Sequence, residues 1–369
     1  MDPRIKWFQG NQTLLDEKYA QFVINPFGLE ESTALGNYSL KTLLHRGMYS
    51  TVYTVHETRD ILIKYQCNCD QTTGIHRLLT DAWFTTLSNK LGMSPKILFV
   101  SPPVPLHPKM TKKFAFTMSK RRWEKCLRER GTVRMMVMER IKGVTMNDFR
   151  SKSSPRGIPL NRAVPILGML IQQIAALHSR KVVHGDIHGG NIILKEESDN
   201  TVSLQLIDFG LATFDHPGRS NNATHPIGHW THELTTPWQI RGLPWGKRDD
   251  IYKAFDSFAR WINTDEWAEH VKDLVEAGTD ELLEFRDNEL FFDVSSNPQS
   301  SPDSPFAADV LQLPGDVACS IRNRFANMVR RILALDDVNE NPPYRFILDE
   351  LVAIQNILEP DFFVNTNNS

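Results

Sequence analysis

Residues 182–194 read VVHGDIHGGNIIL and set His184, Asp186 and Asn191 in an H-x-D-x-x-x-x-N frame. An aspartate in such a turn can accept a proton from an attacking hydroxyl. The asparagine five residues on can offer an oxygen to a hard divalent cation that a second carboxylate also holds. That carboxylate is found in LQLIDFGLA (204–212), as Asp208 of an Asp-Phe-Gly triplet. With six fixed residue types at roughly one in twenty each, chance supplies such a pair about once in 10⁸ starting positions. The apolar runs NIIL and LQLI beside the two motifs are short enough to be the strands of a hairpin.

Together, His184, Asp186, Asn191 and the Asp208-Phe209-Gly210 triplet resemble the catalytic and metal-binding loops of the protein-kinase-like superfamily. The resemblance implies a two-lobed α+β fold, a small antiparallel-sheet lobe followed by a larger helical lobe. It also implies MgATP as cofactor and transfer of a phosphoryl group to a Ser or Thr hydroxyl of a protein. In that reading Asp186 positions the nucleophile, and Asn191 and Asp208 hold magnesium.

Other segments extend the resemblance in the same chain order. In LLHRGMYSTVY (43–53), Gly47, Tyr49, Ser50 and Val52 are similar to the second half of a kinase glycine-rich loop. His45 and Ser50 stand where the first and third glycines would be. ILIK ends on Lys64, which the resemblance makes the lysine of the α- and β-phosphates. Its helix partner in the family is a Glu; here Asp81 stands in the matching place, one methylene shorter, so the pair needs closer helix approach or a bridging water. MMVMERIKG (135–143) is similar to the hinge: Met138 at the back of the adenine pocket, the backbones of Glu139 and Ile141 on the adenine edge, and Asp148 within reach of the ribose. Ile193, two residues past Asn191, joins the nucleotide-binding set.

GKRDDIYKAFDSFARWI (246–262) resembles the Arg-Asp-Asp helix of the casein-kinase-one and vaccinia-related kinase branch, with Asp250 as the buried anchor of the catalytic loop. NENPPYRFILDEL (339–351) resembles the closing helix of the fold. Four departures stand out. Gly185 replaces the Arg that pairs with a phosphorylated activation segment. His188 replaces the Lys that steadies the transferred group, which lessens the fixed positive charge there. No Ala-Pro-Glu triplet is legible after Asp208, and no Arg precedes Pro342; in the family those two segments form an ion pair. Read alone, HGDIHGGN is also similar to the loop of aminoglycoside and choline kinases. A small-molecule phosphotransferase and a catalytically dead scaffold therefore stand as alternatives to a protein kinase.

The remaining sequence fits this frame. The chain has 369 residues, 41% hydrophobic and 23% charged, with a net charge of −2, so nothing global points to nucleic acid or a membrane. Four cysteines are too few for a disulfide scaffold, and MDPRIKWFQG lacks the form of a signal peptide; an intracellular protein, cytoplasmic or nuclear, is expected. Alternation predicts strands in 38–55, 60–66, 95–101 and 133–139, with a helix facing inward through Ile75, Leu78, Leu79, Ala82, Trp83 and Leu87. VPILGMLIQQIAALHS predicts an amphipathic helix with Ile166, Leu167, Leu170, Ile171, Ile174 and Leu177 on one face. Further helices are expected over 249–262, 266–286, 316–335 and 344–358, and a surface loop at 295–306. The expected division is an extension over 1–37, a domain over 38–358 that changes lobe between residues 141 and 142, and a tail over 359–369. Residues 109–130 carry nine Lys or Arg against two Glu. They read as a solvated segment, a nuclear-import patch, or a dock for an acidic or phosphorylated protein substrate. Their aromatics are too few to suggest nucleic acid.

Overall fold

A computed structural model describes residues 34–35, 38–46, 50–56, 58–68, 77–100, 104–105, 132–153, 157–196, 202–215, 236–240, 246–263, 313–335 and 340–359, with positions 124, 128 and 243. The expected helix at 266–286, the loop at 295–306 and nearly all of the basic stretch 109–130 lie outside them. The chain divides into two compact units: Met1–Lys142 with Gln205–Ala212, and Gly143–Leu204 with Thr213–Ser369.

The first unit is built on an antiparallel sheet. Its strands are β1 (Ala34–Leu35), β2 (Tyr38–Arg46), β3 (Ser50–Val55), β4 (Ile61–Asn68), β5 (Ile97–Val100), β6 (Val104–Pro105) and β7 (Thr132–Glu139), in the order β1-β2-β3-β4-β7-β5 with β6 beside β7. In β4 the alternate residues Ile61, Ile63 and Tyr65 are buried, and Lys64 between them is buried too. Register then places Lys64 between Val52 of β3 and Met136 of β7. One helix, α1 (Arg77–Asn89), covers the sheet: Leu78, Leu79 and Ala82 close a core cluster with Val100 and Met136, and Met138 and Ile97 pack against it.

The second unit is mostly helical. After the short strand β8 (Val144–Thr145) come α2 (Met146–Ser153) and α3 (Leu160–Ser179). All six apolar positions expected to face inward on α3 are buried. By length and composition α3 would pass for a membrane-crossing segment, but ten of its residues are buried within this unit, the pattern of a core helix. Pro165 cannot donate to the carbonyl of Asn161; Gln355 Nε2 approaches that oxygen at 3.5 Å.

Strand β9 (Val182–Val183) pairs with β12 (Thr213–Phe214), and β10 (Ile192–Glu196) lies between β8 and β11 (Val202–Leu206), so the hairpin expected from NIIL and LQLI forms. Then follow α4 (Pro237–Ile240), α5 (Lys247–Ile262), α6 (Gly315–Leu333) and α7 (Tyr344–Leu358). Fifteen of the sixteen residues of α5 are buried, charged ones included, so its charges must find partners inside the unit. Helix α6 docks on it through stacked rings of Phe258 and Phe325, 5.1 Å apart. The fold is therefore a small antiparallel-sheet unit and a larger helical one.

Candidate active site

In the first unit the functional candidates converge on Lys64. Its side chain is buried at the middle of β4, and Nζ lies 2.7 Å from Asp81 Oδ2 and 2.8 Å from Asp208 Oδ1. Asp81 thus meets the lysine directly, with no bridging water. The shorter side chain suffices because its other oxygen is also fixed: Oδ1 accepts from Thr85 Oγ1 at 3.0 Å, one helical turn on, and from the Phe209 N–H at 2.9 Å. Burial alone would lower the Lys64 pKa, but the carboxylates of Asp208 and Asp81 outweigh it and hold the amine above its ordinary value. It stays charged across any physiological pH.

The segment carrying Asp208 is held to this unit by its backbone and by Phe209. Leu206 N–H donates to Met93 O at 2.8 Å, and the Phe209 ring is fully buried. Asp208 itself has φ 59° and ψ 67°, a left-handed conformation rare outside glycine, and its side chain accepts from the Gly210 N–H at 3.4 Å. The carboxylate is about a third exposed, against 8% for the lysine side chain, so it is the member of the cluster that solvent or a cation can reach.

The remaining first-unit candidates lie along the same strands. Val52 sits opposite Lys64 and Ser50 opposite Gln66; Gly47 lies outside the described residues. Met138 packs against the core cluster from β7. The Glu139 N–H donates to Lys96 O at 2.9 Å, so an adenine contact at this residue would have to use the carbonyl. Ile141 is partly buried one residue after Arg140, whose N–H donates to Asp60 O at 2.8 Å.

In the second unit the 182–194 stretch is a loop fastened chiefly through its backbone. Asp250, at the start of α5, accepts the His184 N–H at 2.7 Å, the Gly185 N–H at 2.8 Å and His178 Nε2 at 2.9 Å. Burial would raise this carboxyl, but the His178 bond, the histidine charges and the Gly185 N–H hold it below the usual aspartate value. His178 bonds in turn to the Tyr344 hydroxyl through Nδ1, so the first residue of α7 is tied into the same chain of contacts.

Within the loop, Asn191 Nδ2 donates to Asp186 O at 2.9 Å and to Asp186 Oδ2 at 3.2 Å, which leaves its amide oxygen as the atom for a cation. His188 Nδ1 accepts from Gly190 N–H at 3.1 Å, and its Nε2 is 3.9 Å from Asp186 Oδ2. Gly189 lets Asn147 approach closely: a Cβ there would meet Asn147 Oδ1 at 2.1 Å, so that side chain would have to move. Ile193 pairs with Thr145 in β10, and Thr145 Oγ1 donates to Asp148 Oδ2 at 2.8 Å at the head of α2.

Where the sequence shows no Ala-Pro-Glu triplet, Thr236-Pro237-Trp238 runs into the short helix α4. The first four residues of α5 each hold a different segment. Lys247 Nζ binds Asp215 Oδ2 at 2.7 Å and Asn341 Oδ1 at 2.8 Å, the latter just before Pro342. Arg248 donates to Leu335 O at 2.8 Å and lies 4.8 Å over the Trp238 ring. Asp249 accepts from the Thr236 hydroxyl and from Gly246 N–H, and burial pushes its carboxyl up to about 6. The start of α5 thus meets the 236–238 segment through a cation–π contact with Trp238, and the residue before Pro342 through a hydrogen bond from Lys247.

The sequence reading missed His178, Lys247 and Lys253, which donates from α5 to Gly185 O at 3.1 Å. His178 carried a signal: it lies four residues after Ile174 on the apolar stripe of α3, where a polar side chain calls for a buried partner.

Comparison with known proteins agrees with this arrangement. The family model described as the protein kinase domain matches residues 122–271. Over that stretch the chain is similar to the protein-kinase-like superfamily. A probable serine/threonine-protein kinase, zyg-1 of Caenorhabditis briggsae, is 30% identical over 117 residues, 32% of this chain and 16% of that protein. The serine/threonine-protein kinase pkn2 of Myxococcus xanthus is 27% identical over 125 residues, 34% of this chain and 15% of that protein. The matched stretch thus spans less than a fifth of these curated relatives. The solved structure of vaccinia related kinase 3 shares the fold, with a TM-score of 0.54 over 87% of this chain and 89% of that one, at 15% identity.

Proposed function

We propose that this protein is an ATP-dependent protein kinase that phosphorylates Ser or Thr hydroxyls. The observation that carries the reading is Lys64, charged and buried between Asp81 and Asp208. Burying an ammonium costs several kcal/mol unless it is well paired, and a scaffold has no need of one aimed at a part-exposed carboxylate. Lys64 would orient the α- and β-phosphates. Asp186 would hold the attacking hydroxyl and accept its proton, with His188 beside it in place of the usual lysine.

The part-exposed Asp208 carboxylate of the first unit fits magnesium, a hard cation that takes oxygen ligands, and the resemblance adds the Asn191 amide oxygen as a second donor. Magnesium supplies charge neutralisation on the phosphates when bound. Asn191 keeps its amide nitrogen on Asp186, so the residue that offers the metal an oxygen also fixes the base.

A protein substrate is favoured over a small cationic alcohol because the matched relatives are named as serine/threonine-protein kinases. The basic stretch 109–130 supports a preference for acidic or already phosphorylated sequences. The test offers casein, histone, choline and an aminoglycoside side by side with γ-labelled ATP. Label is expected in protein, first in casein. Label in the small molecules alone would reverse the substrate class, and no transfer to any of them would favour the scaffold.

A further inference from the structure

Gly185 stands where the protein-kinase pattern has an Arg, directly before Asp186. It adopts φ 79°, a conformation that disfavours any residue with a Cβ. Both of its backbone groups are held from α5: its N–H by Asp250 at 2.8 Å, and its carbonyl by Lys253 Nζ at 3.1 Å. Residues 250 and 253 are three apart and share one helix face.

The peptide plane between Gly185 and Asp186 is therefore gripped on both sides. Lys253 takes its oxygen, and its N–H, that of Asp186, donates to His184 Nδ1 at 3.2 Å. Lys253 is 3% exposed. Its charge also acts on Asp249, one turn back on the same helix. A neutral donor would hold a carbonyl at lower desolvation cost than a buried ammonium.

We propose that Lys253 is a positioning residue for phosphoryl transfer. Its ammonium locks the 185–186 peptide plane and so aims the Asp186 carboxylate, supplying from α5 the positive charge that the loop lacks at Gly185. This rests on the kinase reading above. A small misplacement of a reacting group costs on the order of 10²-fold in rate.

The test compares wild type, Lys253→Met and Lys253→Arg, using casein and γ-labelled ATP, with hydrogen exchange measured at the amides of 184–186. Lys253→Met is expected to lower kcat by about 10–100-fold with the KM for ATP unchanged, and to speed exchange at those amides. Lys253→Arg, which keeps charge and donor, is expected to recover most of both. If Lys253→Met does not fold, Lys253→Gln takes its place, keeping a donor without the charge. Exchange at 184–186 unchanged in the folded variant would overturn the proposal whatever the activity. A loss that appears in the KM for ATP with kcat intact would overturn it too. A wild type that transfers nothing would instead overturn the kinase reading, while the exchange result still decides whether Lys253 fixes the loop.

Discussion

The Lys64 cluster and the Asp186 loop are both assembled around buried charge, but they are fastened differently. In the first, one cation lies between two carboxylates, and side chain meets side chain. In the second, Asp250 takes two backbone N–H groups and a histidine, and Lys253 takes a backbone carbonyl, both reaching the loop from α5, far away in sequence. A charge compensated by other side chains depends on the identity of those few residues. A charge compensated by peptide dipoles depends on the path of the chain. The first arrangement should therefore fail abruptly when one residue changes, and the second should lose alignment before it loses stability.

Substitution of Asp186 gives the largest expected effect. Asp186→Asn is expected to reduce transfer to casein by about 10³-fold or more, since the proposed general-base and orienting roles would be removed together. ATP affinity by calorimetry should stay within a few-fold. Loss of ATP binding in that variant would mean that Asp186 holds the nucleotide and not only the hydroxyl.

Lys64→Met tests the abrupt failure. It leaves Asp81 buried without its cation, and breaking such a pair costs about 3–5 kcal/mol. Chemical denaturation should show a loss of that order, and Lys64→Met with Asp81→Leu should recover part of it. A single variant as stable as wild type would mean the cluster is far wetter than its burial indicates.

A smaller effect separates the two aspartates at the start of α5. The folded carboxyl of Asp249 lies at about 6, above the unfolded value of about 3.9. The folded state therefore binds the proton more tightly, and stability falls as pH rises from about 4 to about 6, then levels. Asp250 is shifted the other way, so its contribution is complete above about pH 4 and is lost as pH falls further. Melting curves between pH 4 and 8 should show the Asp249 slope disappear in Asp249→Asn. A slope unchanged in that variant would place its origin elsewhere.

The smallest expected change is none. Gly185 offers no cation to a phosphate on the segment 211–240, and Asp215 and Thr236 already have partners in Lys247 and Asp249. Phosphatase treatment should alter transfer by less than about twofold. A tenfold loss would show that the segment needs a phosphate after all.

Much of the fold was legible because its signals are local. The alternation around Lys64, the stripe Ile166 to Leu177 and the apolar runs beside Asn191 and Asp208 each specify an element by its own period. The positions of Lys64, Asp81 and Asp208 could be named from motif order, although spacing alone could not show that Asp81 reaches the lysine directly. That contact depends on Thr85 and the Phe209 N–H holding the other oxygen. The supports of the Asp186 loop were less visible. Asp250 stood in a recognisable helix, but nothing in the charged run around it marks Lys247 and Lys253 as buried. Nothing in the sequence says that α5 is buried on nearly every side, and it is that burial which commits its charges to partners.

If Asp208 and Lys64 form a working magnesium-nucleotide site, the melting temperature will report it. Wild type and Asp208→Ala are titrated with ATP, with magnesium and with chelator. Ligand that binds only the folded state stabilises it by about 2.7 kcal/mol at a hundred times Kd. Wild type is expected to melt several degrees higher with MgATP than with ATP and chelator, and Asp208→Ala to show no magnesium-dependent shift. A wild type whose melting point ignores MgATP at every concentration would contradict the account.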